Sequence, residues 1–119
     1  MRRVLILAVS AVMFAACSHR IPQVERLHVE GTALVNESGD TVELKGMSFG
    51  WNVLWPRFYN EGAVRHMVED WDAEIVRAAI GVEIDDDECQ VQNYLKNPEF
   101  GKQCVCSVVD AAIANGVYL

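Results

Sequence analysis

With 119 residues, 51% of them hydrophobic and 23% charged, the chain has the composition of a packed domain rather than a disordered one. Its formal net charge of −7 offers no basic patch to neutralise phosphates, which argues against nucleic acid as a partner. Neutral or weakly charged substrates are compatible with that balance.

The hydrophobic share is concentrated at the N-terminus. Arg2 and Arg3 form a positive opening, and Val4 to Ala16 is an apolar run too short to span a bilayer as a mature helix. It ends Phe14-Ala15-Ala16-Cys17, small residues just before a cysteine. This resembles a bacterial lipoprotein signal, in which the cysteine is lipidated and becomes the mature N-terminus. An ordinary secretory signal with an incidental cysteine is the alternative. Residues 1–16 are read as the signal and 17–26, with Pro22, as a tether. The expected location is the cell envelope, outer membrane or periplasm, with secretion as the alternative. A lipid on Cys17 is the only expected membrane contact.

Leu27 to Glu30 alternates apolar and polar residues, and Ala33 to Val35 continues as a strand. Asn36 to Asp40 is a turn cluster, and Thr41 to Leu44 alternates again, so residues 27–44 predict a hairpin with polar positions toward water. Lys45 to Ser48 leads inward from it. Phe49 to Asn60 is a loop carrying Trp51, Trp55, Phe58 and Tyr59 around Gly50 and Pro56. Ala63, Val64, Met67, Val68 and Trp71 then recur at helical spacing, an amphipathic helix of about two to three turns. Glu74 to Ile80 reads as a strand buried on both faces. Glu83 to Glu88 is an acidic loop.

Asn97 caps and Pro98 opens a second helix, with Glu99 in its first turn. Val105, Val108, Val109, Ala112 and Ile113 line its expected buried face. Gly116 ends it in the left-handed conformation, and Val117 to Leu119 begins another strand. The order strand, loop, helix, strand, loop, helix builds a parallel sheet covered by helices. Loops after such strands lie at the carboxyl ends, where ligands bind in barrels and in open α/β sheets. Here those loops are 49–60 and 82–97. A dinucleotide fold fails because the first strand-to-helix turn has no G-x-G-x-x-G, and no G-x-x-x-x-G-K is present. No cofactor is expected.

Cys89, Cys104 and Cys106 are read as small buried hydrophobes, although export would permit Cys89 to pair with either of the others. The C-x-C spacing does not suit zinc. The run Asp85 to Glu88 has oxygen ligands for calcium but lacks EF-hand spacing, and a solvated loop is the preferred reading, with no metal expected. Aromatic faces beside hydrogen-bonding groups suit sugar rings, which gives Trp51 and Trp55 a candidate role in carbohydrate contact. Phe58 and Tyr59 are expected to pack at the rim or beneath the first helix.

Leu27 to Asp40 (LHVEGTALVNESGD), Leu44 to Ser48 (LKGMS), Glu69-Asp70-Trp71 and Val76 to Ala79 (VRAA) occur in order with Tyr94-Leu95, Asn97-Pro98 and Val109 to Tyr118 (VDAAIANGVY). Together they resemble the opening of glycoside hydrolase family 5, nearest its cellulase, or endo-β-1,4-glucanase, branch. The resemblance implies an α/β fold: an N-terminal hairpin plus the first two to three β/α units of a (β/α)8 barrel, incomplete, over residues 27–119. It also implies retaining hydrolysis of β-linked polysaccharide such as β-glucan. That reaction needs two carboxyl groups about 5 Å apart. In the family they are glutamates ending the fourth and seventh barrel strands, so the chain by itself is expected to be inactive.

By the same resemblance Arg77 matches the arginine ending the second barrel strand, which braces the nucleophilic carboxylate. A planar guanidinium can orient such a carboxylate and favour its ionised form. Trp51, Asn52 and Trp55 are the expected substrate-binding residues, although Asn52 and Leu54 depart from the histidine and aromatic residues common in this family loop. The alternative function is a non-catalytic, glycan-binding surface lipoprotein using residues 51–59.

Overall fold

A computed structural model describes residues 24–84 and 86–119. The expected signal peptide, Cys17 and all but the last residues of the tether therefore lie outside the described residues. Val24 to Arg26 are exposed and irregular, and the Tyr118 hydroxyl donates to the Glu25 carbonyl at 2.8 Å. No helix among the described residues is long and apolar enough to cross a membrane.

The chain opens with β1 (His28–Glu30) and β2 (Ala33–Val35), paired antiparallel with His28 opposite Val35. Asn36 makes the following turn, because its side-chain oxygen accepts from the amides of Ser38 at 3.0 Å and Asp40 at 2.9 Å. The expected strand over residues 41–44 reduces to one bridge, Thr41 to Val35. The alternation also places Val29 in water, 74% exposed, so only Val35 of this hairpin is fully buried.

Beyond the hairpin, β3 (Gly46–Ser48) pairs in parallel with β4 (Ile75–Arg77), and Tyr118 adds a third parallel position through Ile75. Sheet order thus follows chain order. Gly46 is required where β3 meets β4: a Cβ there would lie 1.7 Å from the Ile75 carbonyl oxygen. The strand expected over 74–80 contracts to three residues and is not buried on both faces. Val76 is fully buried, Ile75 half-buried and Arg77 exposed. Beyond Arg77 the backbone is spent on loop contacts rather than on ladder hydrogen bonds, as Asn52 N–H donates to the Ala79 carbonyl at 3.1 Å.

Helix α1 (Glu61–Trp71) starts at Asn60, whose side chain accepts from the Ala63 amide at 3.0 Å, and stops at Asp72 in the left-handed conformation. Helix α2 (Pro98–Asn115) has Pro98 in its first turn, the Asn97 side chain accepting from Phe100 at 3.3 Å, and Gly116 at φ 66°. Its buried stripe is Gly101, Cys104, Val108, Ala111 and Ala112, whereas Ile113 is 55% exposed. The expected face is therefore rotated. Small residues bring the helix close to its neighbours, and at Gly101 the Tyr94 ring occupies the place of a side chain. The core joins sheet and helices through Phe49, Tyr59, Val64, Val76, Val108 and Val117.

Candidate functional site

The carboxyl ends of β3 and β4 lie side by side because Ser48 is in register with Arg77. Phe49 N–H donates to the Arg77 carbonyl at 2.9 Å, extending the pairing one residue past the strand. In the same place the Arg77 guanidinium donates to Ser48 Oγ at 3.1 Å, and Ser48 Oγ donates to the Phe49 carbonyl at 3.0 Å. Arg77 is exposed, and among the described residues it pairs with no carboxylate. Sequence reasoning picked out Arg77 but not Ser48. The signal was present, since both residues end adjacent parallel strands.

The loop after β3 folds back through Trp51, whose carbonyl accepts from Leu54 and Trp55, and then makes a short helical turn at Pro56–Phe58. Tyr59 returns under it. Its ring packs on Phe49 with centroids 5.2 Å apart, and its hydroxyl reaches the carbonyls of Gly50, at 2.7 Å, and Ala79. Burial pushes this phenol up to about 12, with the hydrogen bond to the Ala79 carbonyl, and to a lesser degree the Arg77 charge, opposing the shift. The Tyr59 hydroxyl thus joins the two loops at their roots, a role beyond the packing expected of it. Phe58, expected to pack, is 46% exposed instead.

The three expected substrate-binding residues part company here. Trp51 is 46% exposed and Trp55 44% exposed, both open to a ligand. Asn52 is 1% exposed, with Oδ1 accepting from the Gly81 amide at 2.9 Å. That placement makes Asn52 a tie between loops and keeps it away from any ligand surface. Arg57 stacks its guanidinium over Trp55 at 5.4 Å and Phe58 at 4.8 Å, so the exposed rings share a cation. Trp55 and Ser48 border an open, mainly apolar groove of about 710 Å³ along the free side of β3, with Met47, Met67 and Trp71.

The loop after β4 is fastened to the first by Gln90 N–H donating to the Val53 carbonyl at 2.8 Å. Within it, the Asp86 carboxylate accepts from Glu88 N–H at 3.0 Å and from the Cys89 thiol at 3.4 Å. The described cysteines are free thiols. Cys104 is buried as expected, but Cys89 is partly exposed and Cys106 exposed, because α2 turns its small-residue stripe inward and leaves position 106 outside.

A family model described as cellulase (glycosyl hydrolase family 5) matches residues 35–119. Endoglucanase Z from Dickeya dadantii is 37% identical over 99 residues, covering 80% of this chain and 21% of its own length. An endoglucanase from Halalkalibacter akibai is 30% identical over 86 residues, covering 72% of this chain and 10% of its own length. Among solved structures, one from Cytophaga hutchinsonii is 43% identical with TM-score 0.70, covering 78% of this chain and 28% of that one. The endoglucanase catalytic domain of Thermobifida fusca is 27% identical with TM-score 0.66, covering 77% and 28% respectively, and has also been solved with cellotetraose. The chain thus spans only 10% and 21% of the two curated relatives' length. Its residues 35–119, with their parallel strand ends and covering helices, belong to glycosyl hydrolase family 5.

Proposed function

We infer that this chain supplies the N-terminal section of an endo-β-1,4-glucanase with a (β/α)8 barrel that hydrolyses β-linked glucan with retention. The observation that carries this reading is Arg77, set at the carboxyl end of β4 with its guanidinium held beside β3. The endoglucanase relatives and the cellotetraose complex of the Thermobifida fusca enzyme support the substrate class.

In this reading Arg77 braces the carboxylate nucleophile. Its guanidinium has five N–H donors, and Ser48 takes one, so donors remain for a bidentate grip on a carboxylate. Retaining hydrolysis then proceeds through a covalent glycosyl-enzyme, formed by one carboxylate and released by water that the second carboxyl activates. Exposed Trp51 and Trp55 offer ring faces to the glucan. Cys17 carries the lipid that holds the protein at the cell envelope, to be checked by radiolabelled palmitate incorporation in wild type and Cys17→Ser.

Two proteins test the catalytic reading: the 119-residue chain, and a chimera in which residues 24–119 replace the matched segment of endoglucanase Z. The expected result is carboxymethylcellulose hydrolysis by the chimera and none by the chain alone. A folded but inactive chimera, or turnover by the isolated chain, sinks it. The two exposed tryptophans favour a second reading, glycan binding without cleavage. Retardation of the isolated chain on a cellulose-derivative gel, abolished by Trp51→Ala and Trp55→Ala, would establish that activity.

A further inference from the structure

We propose that Ser48 is the positioning residue for Arg77, fixing the guanidinium through a hydrogen bond in which the serine can only accept. The inference rests on the glucanase reading for its consequence, but its geometry stands on this chain alone.

A serine hydroxyl has one hydrogen and two lone pairs. Here the hydrogen goes to the Phe49 carbonyl at 3.0 Å, which leaves only lone pairs for Arg77 at 3.1 Å. Phe49 is itself held, because its amide donates to the Arg77 carbonyl at 2.9 Å and its side chain is 4% exposed. The four groups therefore close a ring: Arg77 backbone, Phe49 peptide, Ser48 hydroxyl, Arg77 guanidinium. A long exposed arginine otherwise samples many rotamers, and its planar fork grips a carboxylate well only when aimed beforehand. Ser48 supplies that aim from the neighbouring strand end. The parallel register makes this possible by placing residues 48 and 77 on one face of the sheet.

Nitrogen-15 spectra of the 119-residue chain read the bond directly. In wild type the Arg77 side-chain N–H signals are expected to show hindered rotation. Ser48→Ala collapses them to the pattern of a free guanidinium, and Ser48→Thr restores them. Methyl signals of Val76 and Val108 report whether the core is unchanged. In the endoglucanase Z chimera, Ser48→Ala lowers kcat about tenfold, leaves KM within about twofold, and moves the acid limb of the pH profile upward; Ser48→Thr rescues all three. Arg77 signals indifferent to Ser48→Ala, or a Ser48→Ala chimera with the parent's kcat and pH profile, overturn the proposal. A chimera inactive with serine in place sinks the glucanase reading instead, and the guanidinium signals then still decide whether Ser48 holds Arg77.

Discussion

Asn52 and Gly81 are joined by a hydrogen bond of 2.9 Å between the Asn52 side-chain oxygen and the Gly81 amide, with both residues buried. The bond ties the loop that leaves β3 to the segment that leaves β4. Removing one partner leaves a buried N–H unsatisfied, which costs more than an average hydrogen bond is worth. Asn52→Ala is expected to destabilise the chain by about 1–3 kcal/mol. The check is the urea midpoint followed by circular dichroism. Asn52→Asp keeps an acceptor but buries a charge, and is expected to cost at least as much.

The Tyr59 phenol makes stability depend on alkaline pH. Burial raises it to about 12 in the fold, against an ordinary value near 10. The unfolded chain therefore loses this proton first as pH rises. The tyrosine's contribution is whole below about pH 10 and declines between about 10 and 12, because the unfolded state binds fewer protons there. Tyr59→Phe has no such proton, although it also loses the hydroxyl contacts to Gly50 and Ala79. Wild type should be the more stable at pH 8, with the gap narrowing steadily toward pH 11.5. Denaturant midpoints across that range measure it, and a constant gap would refute the assignment.

Gly46 tests how closely β3 and β4 approach. An added Cβ would meet the Ile75 carbonyl oxygen at 1.7 Å and the Ile75 Cγ2 at 2.8 Å. Backbone cannot swing aside as a flexible side chain does, so the parallel pair must separate. Gly46→Ala is expected to cost about 3 kcal/mol, the upper end for overpacking. Gly31, with φ 62° in the exposed hairpin and nothing within 4 Å of its would-be Cβ, is the contrasting site. Gly31→Asn should cost little, since asparagine tolerates the left-handed conformation. Thermal melts of the two variants should differ by many degrees.

The order of strands and helices was legible because local chemistry announces it. Asn60, Asn97 and Gly116 cap their helices, and Asn36 makes its turn by bonds within a few residues. Strand extent was not legible. The apolar run 74–80 carries no mark telling that its backbone leaves the ladder after Arg77 to serve the Asn52 and Tyr59 loop. The rotated face of α2 was hidden for a related reason. Hydropathy favours Ile113, while close approach favours Gly101, Ala111 and Ala112. At the site, Arg77 and the tryptophans stood out by type, but the burial of Asn52, expected at the substrate, was not legible. Its tertiary partner, Gly81, is 29 residues away, beyond any local pattern.

The cysteines of α2 should differ sharply in reactivity. Cys104 is 6% exposed, and burial pushes its thiol upward, with the nearby Asn52 side chain only partly offsetting the shift. The thiolate is the reacting species, so both access and ionisation are restricted at this position. Cys106 lies two residues on, on the outer face of the helix, and is exposed. With iodoacetamide at pH 8, Cys106 should be alkylated at least about tenfold faster than Cys104, as a fully accessible thiol outpaces one needing local opening. Peptide mapping by mass spectrometry reads each site separately. Urea should abolish the difference. Equal rates for the two cysteines in the native chain would show that α2 does not bury this face.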